Sequence, residues 1–375
     1  MADKPARGLA DVVAASTAIS DIDGTAGRLF YRGYDIHDLV GRVSFEECVY
    51  LLQRGSLPTR AELDDLVTDL HANRRVGPTA EAVLPRVAGS GMPMEALRSL
   101  LSVLSADDPD AADTSPEGNV RKAVRLVAQT PLLVARYHAA RTGREVVQPV
   151  DSLGIAGNFL LQITGKRPSE REAQILDACL VLHADHTMNA STFTARVIAA
   201  TLSDMHSAVT GAMGALRGPL HGGANEAVMK TLGEIDSVER VEPEVRAVLS
   251  RGQKISGFGH RVYKTEDPRA THLRQMSEEL ADLTGDARPY AMSRRMEQVV
   301  MDVKGLYPNV DFFAASVYHY LGVPTDLFTP VFAVSRMSGW TSHIIEQYAD
   351  NRLIRPDSEY IGESDRKWLP IDERG

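Results

Sequence analysis

Apolar residues recur along this chain mainly at helical spacing, and long alternating runs are nearly absent, so a predominantly α-helical fold is expected. Leu176, Cys179, Leu180 and His183 fall at i, i+3, i+4 and i+7 and mark one buried stripe ahead of His186. Phe313, Val317, Tyr320 and Leu321 repeat that spacing, and Gly322 with Pro324 supplies the stop, which places Asp311 at a helix N-terminus. Ala333, Met337, Trp340, Ile344 and Tyr348 form a further stripe on a long C-terminal helix. Arg336 then falls on a neighbouring face and is expected to point away from the core. Near the N-terminus the period changes: residues 19–24 and 28–34 read as a small β-hairpin turning at Asp23-Gly24 or Thr25-Ala26-Gly27.

Glycine and proline punctuate the rest. Residues 106–119 are rich in Asp, Pro and small side chains and read as an exposed acidic loop, and residues beyond about Tyr360 read as an extended tail. A chain of 375 residues with 43% hydrophobic residues exceeds what one core usually holds, so two domains are expected. The Gly-Gly break after His221 and the Gly-x-Pro break at Gly322 suggest hinges. They give a large domain over residues 1–221 and 323–375 and a small domain over 222–322.

Composition removes several classes. No apolar stretch reaches the roughly 18 residues of a membrane span, and no leader pattern opens the chain, so no membrane partner and a cytoplasmic location are expected. Cys48 and Cys179 are far apart and form no CxxC, which argues against a disulfide framework or a thiol-based zinc site. A net charge of -9 argues against a general nucleic-acid binder, so an anionic ligand must meet local positive charge.

Three separated stretches carry the candidate chemistry. His221 lies in Gly218-Pro219-Leu220-His221-Gly222-Gly223 ahead of an expected helix, where an imidazole can donate to a carbonyl oxygen gaining negative charge. Gly257-Phe258-Gly259-His260 resembles the start of a dinucleotide fingerprint but has Val262 at the third glycine position. A loop whose bare backbone holds a flat or anionic ligand, with Lys254, Arg261 and Lys264 nearby for phosphate, is the better reading. Asp311, in Asn309-Val310-Asp311, fits an ordinary helix cap or a general base for a carbon acid with His221 as partner.

His183-Ala184-Asp185-His186 invites a metal reading, but no third ligand follows and His183 continues the apolar stripe. His186 and Asn189-Ala190-Ser191-Thr192 then read as polar site residues. Arg269, Arg336 and Arg355 are separated arginines in defined contexts; converging guanidinium groups suit a small di- or tricarboxylate.

These motifs, with Tyr31-Arg32-Gly33-Tyr34-Asp35-Ile36 and Asp267-Pro268-Arg269, resemble the citrate synthase family in identity and order, from near Ile19 through Pro356. The resemblance implies a mostly helical homodimer whose small domain closes over a cleft. It would condense acetyl-CoA with oxaloacetate and hydrolyse citryl-CoA, with no metal or redox cofactor. By position, Asp311 would be the base, His221 the donor to the thioester oxygen and His260 the acid for the oxaloacetate carbonyl. His186, Arg269 and Arg336 would hold oxaloacetate, with Arg355 supplied by the other subunit. Lys254, Ile255, Ser256, Gly257, Phe258, Gly259, Arg261, Lys264 and Asn309 would meet coenzyme A. The absence of the N-terminal extension of the larger, NADH-regulated members implies a dimer without that control. A 2-methylcitrate synthase using propionyl-CoA is the near alternative. A non-catalytic carboxylate or CoA-binding protein and a zinc hydrolase on His183 and His186 are the alternatives of other classes.

Overall fold

The computed structural model describes residues 7–9, 12–89 and 91–374; the outermost ends of the expected large domain, residues 1–6 and 375, lie outside it. Sixteen α-helices among the described residues carry the fold. The first ten are α1 (Ile36–Leu39), α2 (Phe45–Arg54), α3 (Arg60–Ala72), α4 (Pro78–Ala88), α5 (Pro93–Val103), α6 (Pro116–Thr142), α7 (Ile155–Thr164), α8 (Glu170–His183), α9 (Ala190–Ala199) and α10 (Met205–Leu216). The rest are α11 (Ala224–Ile235), α12 (Val238–Ser250), α13 (Pro268–Thr284), α14 (Arg288–Lys304), α15 (Val310–Tyr320) and α16 (Phe328–Ala349). Local sequence explains their starts. Ser44 with Glu47, Thr59 with Glu62 and Ser169 with Glu172 close capping boxes, and proline opens α4, α5, α6 and α13.

The helices fall into two packing groups. α16 is the axis of the larger, touching α2, α5, α6, α8, α9 and α10, whereas α11 to α15 pack mainly on one another. A helix surrounded in this way is covered on every face, and that corrects the expectation for Arg336. The guanidinium does not point away from the core: Arg336 is 1% exposed, with Cζ 4.6 Å from the centre of the Phe332 ring. The polar face of α16 survives burial because its hydroxyls return hydrogen bonds to main-chain carbonyls, Thr341 to Met337 and Ser342 to Ser338 among them.

The hairpin gains a strand. β1 (Ser20–Asp23) pairs antiparallel with β2 (Arg28–Tyr31), and β2 pairs with β3 (Tyr34–Asp35) across a two-residue turn in which Arg32 and Gly33 both have positive φ. Arg32 tolerates that conformation because its guanidinium donates to the Leu52 carbonyl, at 2.6 Å from Nη2. The Tyr31 hydroxyl anchors the sheet, donating to the Asp185 carbonyl at 2.9 Å and accepting from the Asp185 N–H at 3.1 Å. At the other end the hairpin tip rests on the segment that carries His260. Lys264 N–H donates to the Gly24 carbonyl at 2.8 Å, and a Cβ on Gly24 would lie 2.4 Å from the Val262 carbonyl oxygen. Only glycine fits there.

Two further expectations change in detail. The acidic loop is drawn inward: Asp108 and Asp110 pair with Arg125 and Asp110 also with Arg121, leaving the Asp108 side chain 4% exposed. The tail begins earlier than expected, since regular structure stops at Ala349; residues 350–374 are exposed, with Ile354 half-buried, and hold only a short turn at Ile371–Glu373.

Candidate active site

Five stretches bring their polar side chains to one cleft between the two packing groups. His186 follows α8, His221 precedes α11, His260 to Arg269 lead into α13, Asp311 opens α15, and Arg336 projects from the middle of α16.

Arg269 is the fixed point. It is 2% exposed and bound in two places by Asp267, Nε to Oδ1 at 2.9 Å and Nη2 to Oδ2 at 2.7 Å. Asp267 Oδ2 also accepts the Val310 N–H at 3.1 Å, so one carboxylate ties Arg269 to the first turn of α15. Burial alone would push Asp267 up, but the Arg269 charge and hydrogen bonds outweigh it and hold the carboxyl below its ordinary range. Arg336 Nε donates to the His183 carbonyl at 2.7 Å; burial draws its pKa down to about 10, so it remains charged at neutral pH.

Asp311 is the second residue of α15. The cap is Asn309, whose Oδ1 accepts the Asp311 N–H at 3.0 Å, so the Asp311 carboxylate is not spent on capping. Burial raises its pKa to about 6, against the pull of Arg269 and with the push of Asp267. This is a carboxylate poised near neutrality.

The histidines are shifted the other way. Burial, followed by the Arg336 charge, lowers His221 to about 4; burial, followed by Arg269, lowers His260 to about 4. His186 is driven well below its ordinary value by burial and then by Arg269, His260, Arg336 and His221. All three imidazoles are neutral at pH 7, and hydrogen bonds fix where two of them carry their proton. His260 Nδ1 accepts the N–H groups of Val262 at 3.0 Å and Tyr263 at 3.2 Å, which leaves its hydrogen on Nε2. His221 Nε2 accepts the Ser191 N–H at 3.3 Å and lies 2.9 Å from Ser191 Oγ, which leaves its hydrogen on Nδ1. Ser191 Oγ is itself held by the Trp340 indole N–H at 3.1 Å and by Asn189 Oδ1 at 2.7 Å.

His183 stays out of this cluster. It is fully buried, and Nδ1 donates to the Cys179 carbonyl at 2.8 Å, so His183 and His186 do not converge on one ion. Among the described residues no three His, Cys, Asp or Glu groups are arranged to hold a metal.

The coenzyme A candidates separate by environment. Lys254, Arg261 and Lys264 are exposed, and Ile255, Ser256, Phe258 and Gly259 are half-buried. Gly257 and Asn309 have internal duties. A Cβ on Gly257, already at φ +83°, would lie within 3.0 Å of Val228 and Phe312. Asn309 donates from its main chain to the Gly257 carbonyl at 2.9 Å and from Nδ2 to the Gly259 carbonyl at 3.0 Å, zipping the loop to α15. Arg355 is not brought to the cleft; it lies exposed on the tail, paired with Asp357 at 2.5 Å. Two cavities, of 810 and 870 Å³, lie away from His186, His221 and His260, and a small one of 210 Å³ adjoins His260 between Lys264 and Tyr307.

The sequence motifs mark Ser191 as a polar site residue, without its contact to His221, and give Asp267 and Tyr263 no role. An Asp two residues before an Arg at a helix start was the available signal for the first-turn pair; nothing local marks the distant partners of Tyr263 and Ser191. A raised carboxyl, neutral donor imidazoles and two buried guanidinium groups suit proton abstraction beside a carbonyl and capture of a small carboxylate.

The chain matches the family described as "Citrate synthase, C-terminal domain" over residues 8–357. It is 51% identical to citrate synthase 2 of Bacillus subtilis, over 98% of this chain and 99% of that one. It is 42% identical to 2-methylcitrate synthase of Shewanella oneidensis, over 98% and 97%. The structure superposes with a TM-score of 0.92 on citrate synthase from Thermoplasma acidophilum, solved as a ternary complex with carboxymethyl coenzyme A and oxaloacetate. That match has 31% identity and covers 98% of this chain and 99% of the other.

Proposed function

The chain belongs to the citrate synthase family, an acyltransferase family, and from that premise we propose how its own residues condense acetyl-CoA with oxaloacetate and hydrolyse the product to citrate and CoA. The observation that carries the reading is the opposed displacement of the titrating groups, Asp311 up to about 6 and His221 and His260 down to about 4, around Arg269 and Arg336.

The Asp311 carboxylate removes a proton from the acetyl methyl while His221 Nδ1–H donates to the thioester oxygen, where charge accumulates. The resulting carbon nucleophile bonds to the oxaloacetate carbonyl carbon. His260 gives its Nε2 hydrogen to the carbonyl oxygen as that becomes the hydroxyl. Water then breaks the carbon–sulfur bond of the citryl thioester and CoA leaves as the thiol. His186, Arg269 and Arg336 hold oxaloacetate, and the 254–264 segment meets coenzyme A with Lys254, Arg261 and Lys264 toward phosphate.

The active unit is a homodimer: Arg355, exposed and without a role in its own cleft, completes the site of a second copy. Residues 222–322 move as the small domain, which accords with the separate packing of α11 to α15. The location is cytoplasmic, in keeping with two buried free cysteines, and no helix among the described residues is long and apolar enough to cross a membrane.

The test is release of CoA thiol from acetyl-CoA and from propionyl-CoA, with and without oxaloacetate, compared as kcat/KM. An acetyl preference that requires oxaloacetate supports the proposal. A propionyl preference moves the reading to 2-methylcitrate synthase, which the Shewanella relative keeps open because one methylene changes discrimination by only about 1–3 kcal/mol. Release from neither overturns it.

A further inference from the structure

Tyr263 touches two of the three site histidines at once. Its main-chain N–H is one of the two donors to His260 Nδ1, at 3.2 Å, and its ring lies 4.6 Å from the His260 ring. Its hydroxyl lies 3.2 Å from His186 Nε2. The residue is 4% exposed, and its oxygen has no other hydrogen-bond partner among the described residues.

The direction of that hydrogen bond follows from counting hydrogens. Burial raises the phenol pKa, so the oxygen keeps its hydrogen at neutral pH, and His186 is neutral, with one donor and one acceptor nitrogen. If His186 Nε2–H donated to the phenol oxygen, the phenol hydrogen would be buried with no acceptor. If the phenol donates to Nε2, both groups are satisfied, and the stronger acid meets the stronger base.

We propose that Tyr263 is a positioning residue for the condensation: its hydroxyl holds His186 in the Nδ1–H form that donates to the oxaloacetate carboxylate, while its main chain holds His260 in the Nε2–H form that serves the carbonyl. The two histidines, 5.1 Å apart between ring centres, need opposite protonation patterns for these tasks. A single residue, fixed by its place three positions after His260, contributes to both, alone at His186 and together with the Val262 N–H at His260. The inference deepens the assignment of His186 to oxaloacetate and rests on it.

The test uses the full-length enzyme labelled with ¹⁵N-histidine, with the His186 resonances identified by their loss in His186→Asn. The wild type should show His186 protonated at Nδ1. Tyr263→Phe, which keeps the ring and the main-chain N–H, should move His186 toward the Nε2–H form and raise KM for oxaloacetate about 5–30-fold, with kcat changed less than about threefold. A wild-type His186 protonated at Nε2 overturns the inference, and so does a Tyr263→Phe enzyme with unchanged tautomer or unchanged KM. The tautomer is read without turnover, so a wild type that forms no citrate would sink the functional reading separately.

Discussion

Asp311→Asn separates what the site needs from what the fold needs. Raising a carboxyl from its ordinary 3.8 to about 6 costs the folded state up to about 3 kcal/mol at pH 7. The sign follows from proton binding. The folded chain holds the Asp311 proton more tightly than the unfolded chain does, so between pH 3.8 and about 6 folding takes up a proton. Stability contributed by this group therefore falls as pH rises through that window, and the full penalty stands above it. Asparagine does not titrate and avoids the penalty. The variant should be more stable than the wild type by up to about 3 kcal/mol at pH 7. That advantage should shrink to about 0.5 kcal/mol at pH 4 and vanish near pH 3, while citrate formation by the variant is about 10²–10⁴-fold below wild type. Urea midpoints across this pH range, at one protein concentration and with m checked for constancy, measure the difference. A stability difference that is flat with pH, or a variant retaining near wild-type turnover, would refute the reasoning.

The same carboxyl sets the acid limb of kcat/KM for acetyl-CoA, which should have unit slope and a midpoint of about 6, because His221 and His260, at about 4, titrate below it; a midpoint near 4 would remove Asp311 as the base. Arg336→Ala should weaken oxaloacetate binding about 30–150-fold, the loss of a charge-assisted hydrogen bond in a buried setting, and calorimetric titration showing no weakening would discard the assignment. Gly24→Ala forces the hairpin tip away from Val262 and should lower kcat/KM about tenfold or more, whereas Gly233→Ala, which has open space on α11, should not; equal rates for both would show that the contact is idle.

The helical class, the buried His183 stripe and the start of α15 were legible because each rests on local spacing. The three catalytic candidates were legible because glycine and a helix start flank them. Arg336 was misplaced because periodicity reports one apolar stripe and cannot report that helices cover the other faces of α16 as well. The cap at Asn309, two residues before Asp311, was within reach of local reasoning. The Ser191 to His221 and Tyr263 to His186 contacts were not: they join residues 30 and 77 positions apart whose meeting depends on the packing of whole helices.

The N-terminal sheet also constrains how the protein is made. Its anchor, Tyr31, finds its hydrogen bonds on Asp185, 154 residues later in the chain. At roughly 5–20 residues per second of synthesis, the hairpin waits about 8–30 s for that partner, and longer for the Lys264 segment on which its tip rests. During this interval its strand edges are open to pairing with other nascent chains. Slower translation of the first half would lengthen the exposure, so the yield of soluble enzyme should respond to the pace of the ribosome as well as to the stability of the finished fold.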